Sequence, residues 1–166
     1  MGKQLEVEFG QITDDNIEQL RQVNLACFPV QYQETYYKNV VKGKNEDLCK
    51  FAYWNGYIVG AACSRVENVE GSDRKRLYIM TLCVLAAYRG RGIGTQLIQS
   101  ILDHYEAEKD AALSKVDEIA LHVQISNEDA MNFYKTKFGF EKGELVENYY
   151  RRIDPPHCYL LYKKLR

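Results

Sequence analysis

The sequence predicts an α/β fold, a mixed sheet with helices on both faces. Three observations predict it. Two β-rich runs, 48–54 and 57–66, flank the dipeptide Asn55-Gly56, which suits the tight primed turn of an antiparallel hairpin. The second half alternates dense apolar runs with helical ones, 77–84 then 93–105 and 119–123 then 126–137, as βα units do. Two further strands close the chain, so antiparallel and parallel neighbours must share the sheet.

Each element has its own cause. Leu5 to Phe9 alternates apolar and polar residues and reads as a short strand. Thr13 precedes Asp14 and Asp15, an N-cap followed by acids where a helix dipole favours them. Ile17, Leu20, Val23, Asn24 and Phe28 follow at helical spacing, giving a helix over 14–26. Pro29 then pushes the chain out of the α region. A shorter helix is expected over 33–42, then the hairpin, then a polar loop over 67–74. Leu77 to Val84 is a central strand. Ile93 to Tyr105 carries apolar residues at 93, 97, 98, 101, 102 and 105, one buried stripe. Ile119 to Val123 is a strand, and Ser126 caps a helix running through Lys137, with Ala130, Phe133, Tyr134 and Phe138 inward. Gly139 breaks it, and strands over 145–152 and 158–165 end the chain. No linker divides the sequence, so one domain is expected over 1–166.

With 166 residues, 46% of them apolar, the chain can bury a core without metal or disulfide staples. A formal net charge of −1 argues against a main role in gripping nucleic acid or anionic lipid, which needs surplus Lys and Arg. The five cysteines are odd in number, widely spaced and without a CxxC pair. Buried free thiols in a reducing compartment account for them better than disulfides or a zinc site, and no metal is expected. The N-terminus lacks an apolar signal-peptide core, and no run approaches the 18 apolar residues of a membrane span. A soluble cytoplasmic or nuclear protein is the expectation. Gly2 lacks the Ser or Thr at position 6 that myristoylation wants, since Glu6 stands there.

The sharpest motif is Arg89-Gly90-Arg91-Gly92-Ile93-Gly94, between a buried strand and an amphipathic helix. Its three glycines remove each Cβ that would hold a ligand off the backbone. The exposed N–H groups and the helix N-terminus then form a nest for phosphate. A nucleotide P-loop would need Lys before Ser or Thr, and Gly94-Thr95 lacks it. A dinucleotide fingerprint would need glycine at 95, where threonine stands.

The spacing Arg89-x-x-Gly92-x-Gly94 resembles the acetyl-CoA signature of the Gcn5-related acetyltransferase (GNAT) superfamily, whose element order matches the one derived above. Four segments narrow the resemblance to N-terminal acetyltransferases of the NatE type. They are Phe28-Pro29-Val30 with Tyr32, Arg76 to Leu82 (RLYIMTL), Leu121 to Glu128 (LHVQISNE), and Asn148 to Ile153 (NYYRRI).

The resemblance implies acetyl transfer from acetyl-CoA to the α-amine of chains beginning with Met and an apolar residue. It lays the cofactor along Leu82, Val84, Arg89, Gly90, Arg91, Gly92, Ile93 and Gly94, with Asn127 on the pantetheine arm. Tyr78 and His122 then hold a water that removes the amine's proton, and a backbone N–H near Leu82 steadies the oxyanion. Tyr134 sits by the cofactor sulfur and serves the departing thiolate. Phe28, Pro29, Val30, Met80, Tyr149 and Ile153 line the acceptor wall, while Tyr32 and Tyr150 hold the peptide backbone. Because 149 and 150 fall in an expected strand, one ring should serve the site and the other pack away. The same resemblance implies protein N-terminal peptides as partners, association with NatA catalytic and auxiliary subunits, and a role in sister-chromatid cohesion.

Two other functions use the same residues. A lysine or small-molecule acetyltransferase would share the phosphate loop, but a lysine amine, with reference pKa near 10.4, usually calls for a stronger base such as glutamate. The run Tyr78 to Thr81 offers none. A non-catalytic acyl-CoA-binding scaffold subunit would not need Tyr78, His122 and the whole loop together.

Overall fold

The computed structural model describes residues 2–43 and 47–166. In chain order it holds β1 (Glu8–Gln11), α1 (Ile17–Cys27), α2 (Glu34–Lys42), β2 (Cys49–Trp54), β3 (Tyr57–Asn68), β4 (Lys75–Val84), α3 (Ile93–Glu108), β5 (Val116–Gln124), α4 (Glu128–Phe138), β6 (Glu141–Val146) and β7 (Cys158–Lys164). A 3-10 turn at Ala86–Tyr88 lies between β4 and α3. The order of strands and helices is the one the sequence predicts. The chain forms two compact units, Met1–Arg65 with Met80–Ala112 and Val66–Ile79 with Leu113–Arg166, so that β3 and β4 each begin in one and end in the other.

In the first unit β1, β2 and β3 are antiparallel neighbours, with β4 next to β3. The β2–β3 turn is the expected one: Asn55 and Gly56 have φ of 48° and 79°, the pair of left-handed residues a type I′ turn requires. Alternation along the strands assigns the two faces. Phe51, Ala61, Cys63 and Cys83 pack with Leu20 and Val23 of α1 and Tyr37 and Val40 of α2. On the other face a Cβ at Gly60 would lie 3.5 Å from Ile93 and Leu97 of α3. Of the predicted α3 stripe, Ile93, Leu97, Ile98, Ile101 and Tyr105 are buried and Leu102 is half-buried, each fully buried aliphatic side chain contributing about 1.5–3 kcal/mol by leaving water.

In the second unit β5 runs parallel to β4, from Lys75↔Val116 to Tyr78↔Ala120, and antiparallel to β7 along its length. β6 pairs with the other side of β7. Tyr134 and Phe138 of α4 are buried, as is Phe140 just beyond. Gly139 ends α4 in the left-handed conformation, φ 73°.

Four local expectations are corrected. Leu5 and Val7 do not belong to the first strand. Leu5 N–H donates to the Arg91 carbonyl at 2.9 Å, and Gln96 holds the Leu5 carbonyl and the Val7 N–H at 2.7 and 3.2 Å. Those backbone groups are satisfied beside the start of α3. The first helix begins at Ile17, because Asn16 Oδ1 accepts from Thr13 N–H at 2.7 Å and Thr13 Oγ1 from Asp15 N–H at 3.3 Å, a side-chain turn that competes with helix. Asn127, not Ser126, caps α4, its Oδ1 accepting from Ala130 N–H at 3.1 Å. The strand expected over 145–152 stops at Val146, since Asn148 adopts φ 55°, which a strand does not allow.

All five cysteines are free thiols, four buried and Cys27 half-buried. No helix among the described residues is long and apolar enough to cross a membrane.

Candidate active site

The loop before α3 takes the shape its glycines permit. Gly90 and Gly92 have φ of 73° and 80°, and Gly92 is the α3 N-cap. A Cβ at Gly92 would sit 3.1 Å from the Gln4 side chain, whereas at Gly90 it would meet nothing within 4 Å. The loop therefore turns one side to open space and rests the other on the N-terminal segment. Arg91 Nε donates to the Lys3 carbonyl. Arg89 Nε donates to the Val84 carbonyl at 2.9 Å, a group that also receives the Cys27 thiol at 3.6 Å. Both arginines anchor the turn through Nε while their remaining guanidinium nitrogens keep donor capacity, as a phosphate cradle needs. Ile93 is buried beneath it and Leu82 is half-buried on β4.

The same unit carries an aromatic row where α1 ends. Phe28 leaves α1 extended, with Pro29 exposed and Val30 half-buried behind it. Phe28 packs edge-on to Tyr32 at 5.8 Å, Tyr32 stacks at a tilt on Tyr36 at 4.8 Å, and Tyr36 meets Tyr37 edge-on at 4.9 Å. The Tyr36 hydroxyl shares a 2.8 Å hydrogen bond with Thr81 Oγ1. Phe28, Tyr32, Tyr36 and Met80 all pack against the buried cluster of this unit. The only sequence signal for Tyr36 is that 28, 32 and 36 repeat every fourth residue, and Thr81 carries none.

The second unit brings Tyr78 and His122 together. Tyr78 pairs with Ala120 of β5, and His122 is the next residue on that side of β5. The small Ala120 leaves the Tyr78 ring room to reach the imidazole. The Tyr78 hydroxyl and His122 Nδ1 share a hydrogen bond of 2.5 Å, and Tyr78 and Tyr149 hydroxyls lie 3.3 Å apart. Tyr149 stacks on the imidazole at 4.5 Å with an interplanar angle of 23°. Burial lowers the pKa of His122, and the Arg76 charge lowers it further against a smaller opposing pull from Glu67. The imidazole is thereby held neutral and ready to accept a proton at neutral pH.

Tyr149 and Tyr150 lie in the 147–157 loop rather than a strand, so the alternation expected of them does not apply. Their rings meet edge-on at 5.0 Å. The loop is held by Tyr150 N–H to the Pro156 carbonyl at 2.8 Å, Asn148 N–H to His157 Nδ1 at 3.0 Å and Gln124 Nε2 to the Pro155 carbonyl at 2.8 Å. The Asp154–Pro155 bond in it is cis. Ile153 is half-buried there, and Arg151 and Arg152 are exposed.

Tyr134 is buried, its ring 5.0 Å from Phe133 and 5.2 Å from Phe140, and burial raises its pKa. Asn127 is exposed, and capping uses its Oδ1 while leaving Nδ2 as a donor.

The Acetyltransferase (GNAT) family model matches residues 17–140, which include the glycine loop, Tyr78 and His122. The chain belongs to the GNAT acetyltransferase family. Within it, the chain is 47% identical over 160 residues to N-alpha-acetyltransferase 50 of Danio rerio, covering 96% of this chain and 89% of that one. It is 45% identical to the probable N-acetyltransferase san of Drosophila melanogaster, covering 96% and 82%. The solved structure of Arabidopsis thaliana Naa50, in complex with the bisubstrate analogue CoA-Ac-MVNAL, superimposes with a TM-score of 0.83 at 42% identity, covering 96% and 99%. This GNAT chain is an acetyltransferase closely related to the Naa50 type.

Proposed function

We propose that the chain transfers acetyl from acetyl-CoA to the α-amine of proteins that begin with Met followed by an apolar residue. The observation that carries this reading is the direct Tyr78–His122 hydrogen bond, in a chain with near-half identity to an N-alpha-acetyltransferase 50. The Naa50 of Arabidopsis thaliana was solved with an analogue whose peptide starts Met-Val, which supports the apolar second residue.

An α-amine has a reference pKa of about 7.7–8.0, so a large share is protonated at neutral pH and cannot attack a thioester. His122, kept neutral by burial, accepts that proton through the Tyr78 hydroxyl. Because hydroxyl and imidazole touch directly, a relaying water bridges this pair to the amine rather than lying between its members. The glycine loop at 89–94 holds the phosphates of acetyl-CoA, with its left-handed Gly90 and Gly92 fitting a close backbone approach. Leu82 and Val84 follow the pantetheine arm, Asn127 donates to it through Nδ2, and the buried Tyr134 serves the departing thiolate. Phe28, Pro29, Val30, Met80, Tyr149 and Ile153 receive the methionine and its neighbour, while Tyr32 and Tyr150 hold the peptide backbone.

One catalytic domain over 1–166, a cytoplasmic or nuclear site of action and docking on NatA catalytic and auxiliary subunits complete the proposal. The resemblance to the NatE type supports them. The test is an acetyl-transfer assay across a panel of peptide N-termini, with mass spectrometry locating the acetyl group. Acetyl on the α-amine of Met-Leu peptides is expected. Acetyl confined to lysine would replace this reading with that of a lysine acetyltransferase.

A further inference from the structure

Beside the Tyr78–His122 pair stands an ion pair that the proposed mechanism does not use. Glu67 Oε1 accepts from Arg76 Nε at 2.6 Å, with the two side chains 21% and 22% exposed. Among the described residues it is the ion pair with both members less than a quarter exposed. Solvent and salt therefore screen it less than the exposed pairs. Arg76 is two residues from Tyr78 on β4, hence on the same side, and its guanidinium carbon lies 5.8 Å from the centre of the Tyr78 ring. That is within cation–π range.

We propose that the Glu67–Arg76 ion pair is a positioning element for catalysis, fixing a positive charge over the Tyr78 ring and balancing it with a carboxylate. It thereby aims the hydroxyl at His122 and sets how readily the imidazole takes a proton. The inference rests on the reading of Tyr78 and His122 as the proton-accepting pair. Arg76 disfavours the charged imidazole and Glu67 favours it, so the two act on His122 in opposite senses. Among the described residues, the hydroxyl of Tyr78 from β4 and the ring of Tyr149 from the 147–157 loop also face His122. From β7, Leu160 pairs with His122, and Tyr162, next on that side, is tied to Glu141.

The test uses Arg76→Gln, Glu67→Gln, Arg76→Lys and the double Gln variant. Two readouts are taken: NMR titration of the His122 imidazole, and the pH profile of kcat/KM for a Met-Leu peptide. Arg76→Gln should move the imidazole titration to higher pH and Glu67→Gln to lower pH. Arg76→Lys should stay near the parent protein, and the double variant should fall between the single ones. At the acid end, kcat/KM relative to its own plateau should fall about twofold or more in Arg76→Gln and rise in Glu67→Gln. Titrations that do not move, or that move the same way in both single variants alongside a lower Tm, would overturn the proposal and leave a structural fastener. Titrations that split as expected over an acid limb that stays put would overturn the assignment of His122 as the base, and the catalytic role of the ion pair with it.

Discussion

Tyr78→Phe removes one oxygen and, with it, the 2.5 Å hydrogen bond to His122 Nδ1 and the 3.3 Å contact with the Tyr149 hydroxyl. The ring itself stays, so packing is preserved. For stability the change forfeits a net contribution of about 0.5–1.5 kcal/mol and leaves a half-buried ring nitrogen short of its partner. For catalysis it interrupts the proposed path by which the amine's proton reaches the imidazole. The expected loss in turnover is roughly 10- to 1000-fold, or about 1.4–4 kcal/mol in the barrier, its upper part overlapping the roughly hundredfold or more that a positioned proton-transfer group typically contributes. His122→Ala should fall in the same range, because hydroxyl and imidazole act as one unit. The double variant should then lose no more than about threefold beyond the worse single variant, the non-additivity expected of coupled residues. The assay is kcat/KM for a Met-Leu peptide from acid to alkaline pH, with acetyl-CoA affinity measured alongside and barely moving. Near-full turnover of both single variants at neutral pH would refute the relay.

Three further outcomes follow from the same geometry. Gly92→Val should abolish acetyl-CoA binding in calorimetry, since a β-branched residue at φ 80° carries about 1–3 kcal/mol of strain and meets Gln4; unchanged affinity in the folded variant would contradict the phosphate loop. Asn127→Ala should cost about 1 kcal/mol in chemical denaturation through loss of the α4 cap, and should also weaken acetyl-CoA binding if Nδ2 donates to it. His122 has a folded-state pKa below its unfolded value, so the unfolded chain takes up the extra proton first. Its share of stability is present above the ordinary histidine pKa and is lost as pH falls through it towards the folded value. The loss of Tm on acidification should therefore be smaller in His122→Gln.

Much of the fold is legible because local chemistry and tertiary structure agree. The Asn55-Gly56 turn, the α3 stripe and the Gly139 stop each follow from a few neighbouring residues. Legibility ends where a side chain or a distant backbone group takes over. Gln96 claims the backbone of Leu5 and Val7 from 91 and 89 positions away, and no local pattern announces that. Asn148 turns left-handed where the residues on either side read as strand. The tight turn at 89–94 is legible from its glycines alone. Tyr78 and His122 are an ordinary strand tyrosine and histidine until the RLYIMTL and LHVQISNE segments are compared with the family. That they touch depends on the parallel register Tyr78↔Ala120, which sequence does not state. Glu67 was hidden because the polar run 67–74 reads as loop, whereas β3 continues to Asn68 and pairs its carboxylate with Arg76.

Which N-termini are acetylated is decided by one comparison of peptides. The residues proposed to receive the peptide, Phe28, Pro29, Val30, Tyr149 and Ile153, carry no charge, so on that proposal an acidic second residue would lose its hydration without gaining a partner. Arg151 and Arg152, which follow Tyr149 in the 147–157 loop and would reverse this if they faced the peptide, are exposed. The measurement is kcat/KM for peptides beginning Met-Leu, Met-Glu and Ser-Glu at one salt concentration. Met-Leu should lead by about tenfold or more, a difference of ~1.4 kcal/mol. A preference for either acidic peptide would contradict the Met-directed assignment, while leaving the chain an acetyltransferase of the GNAT family.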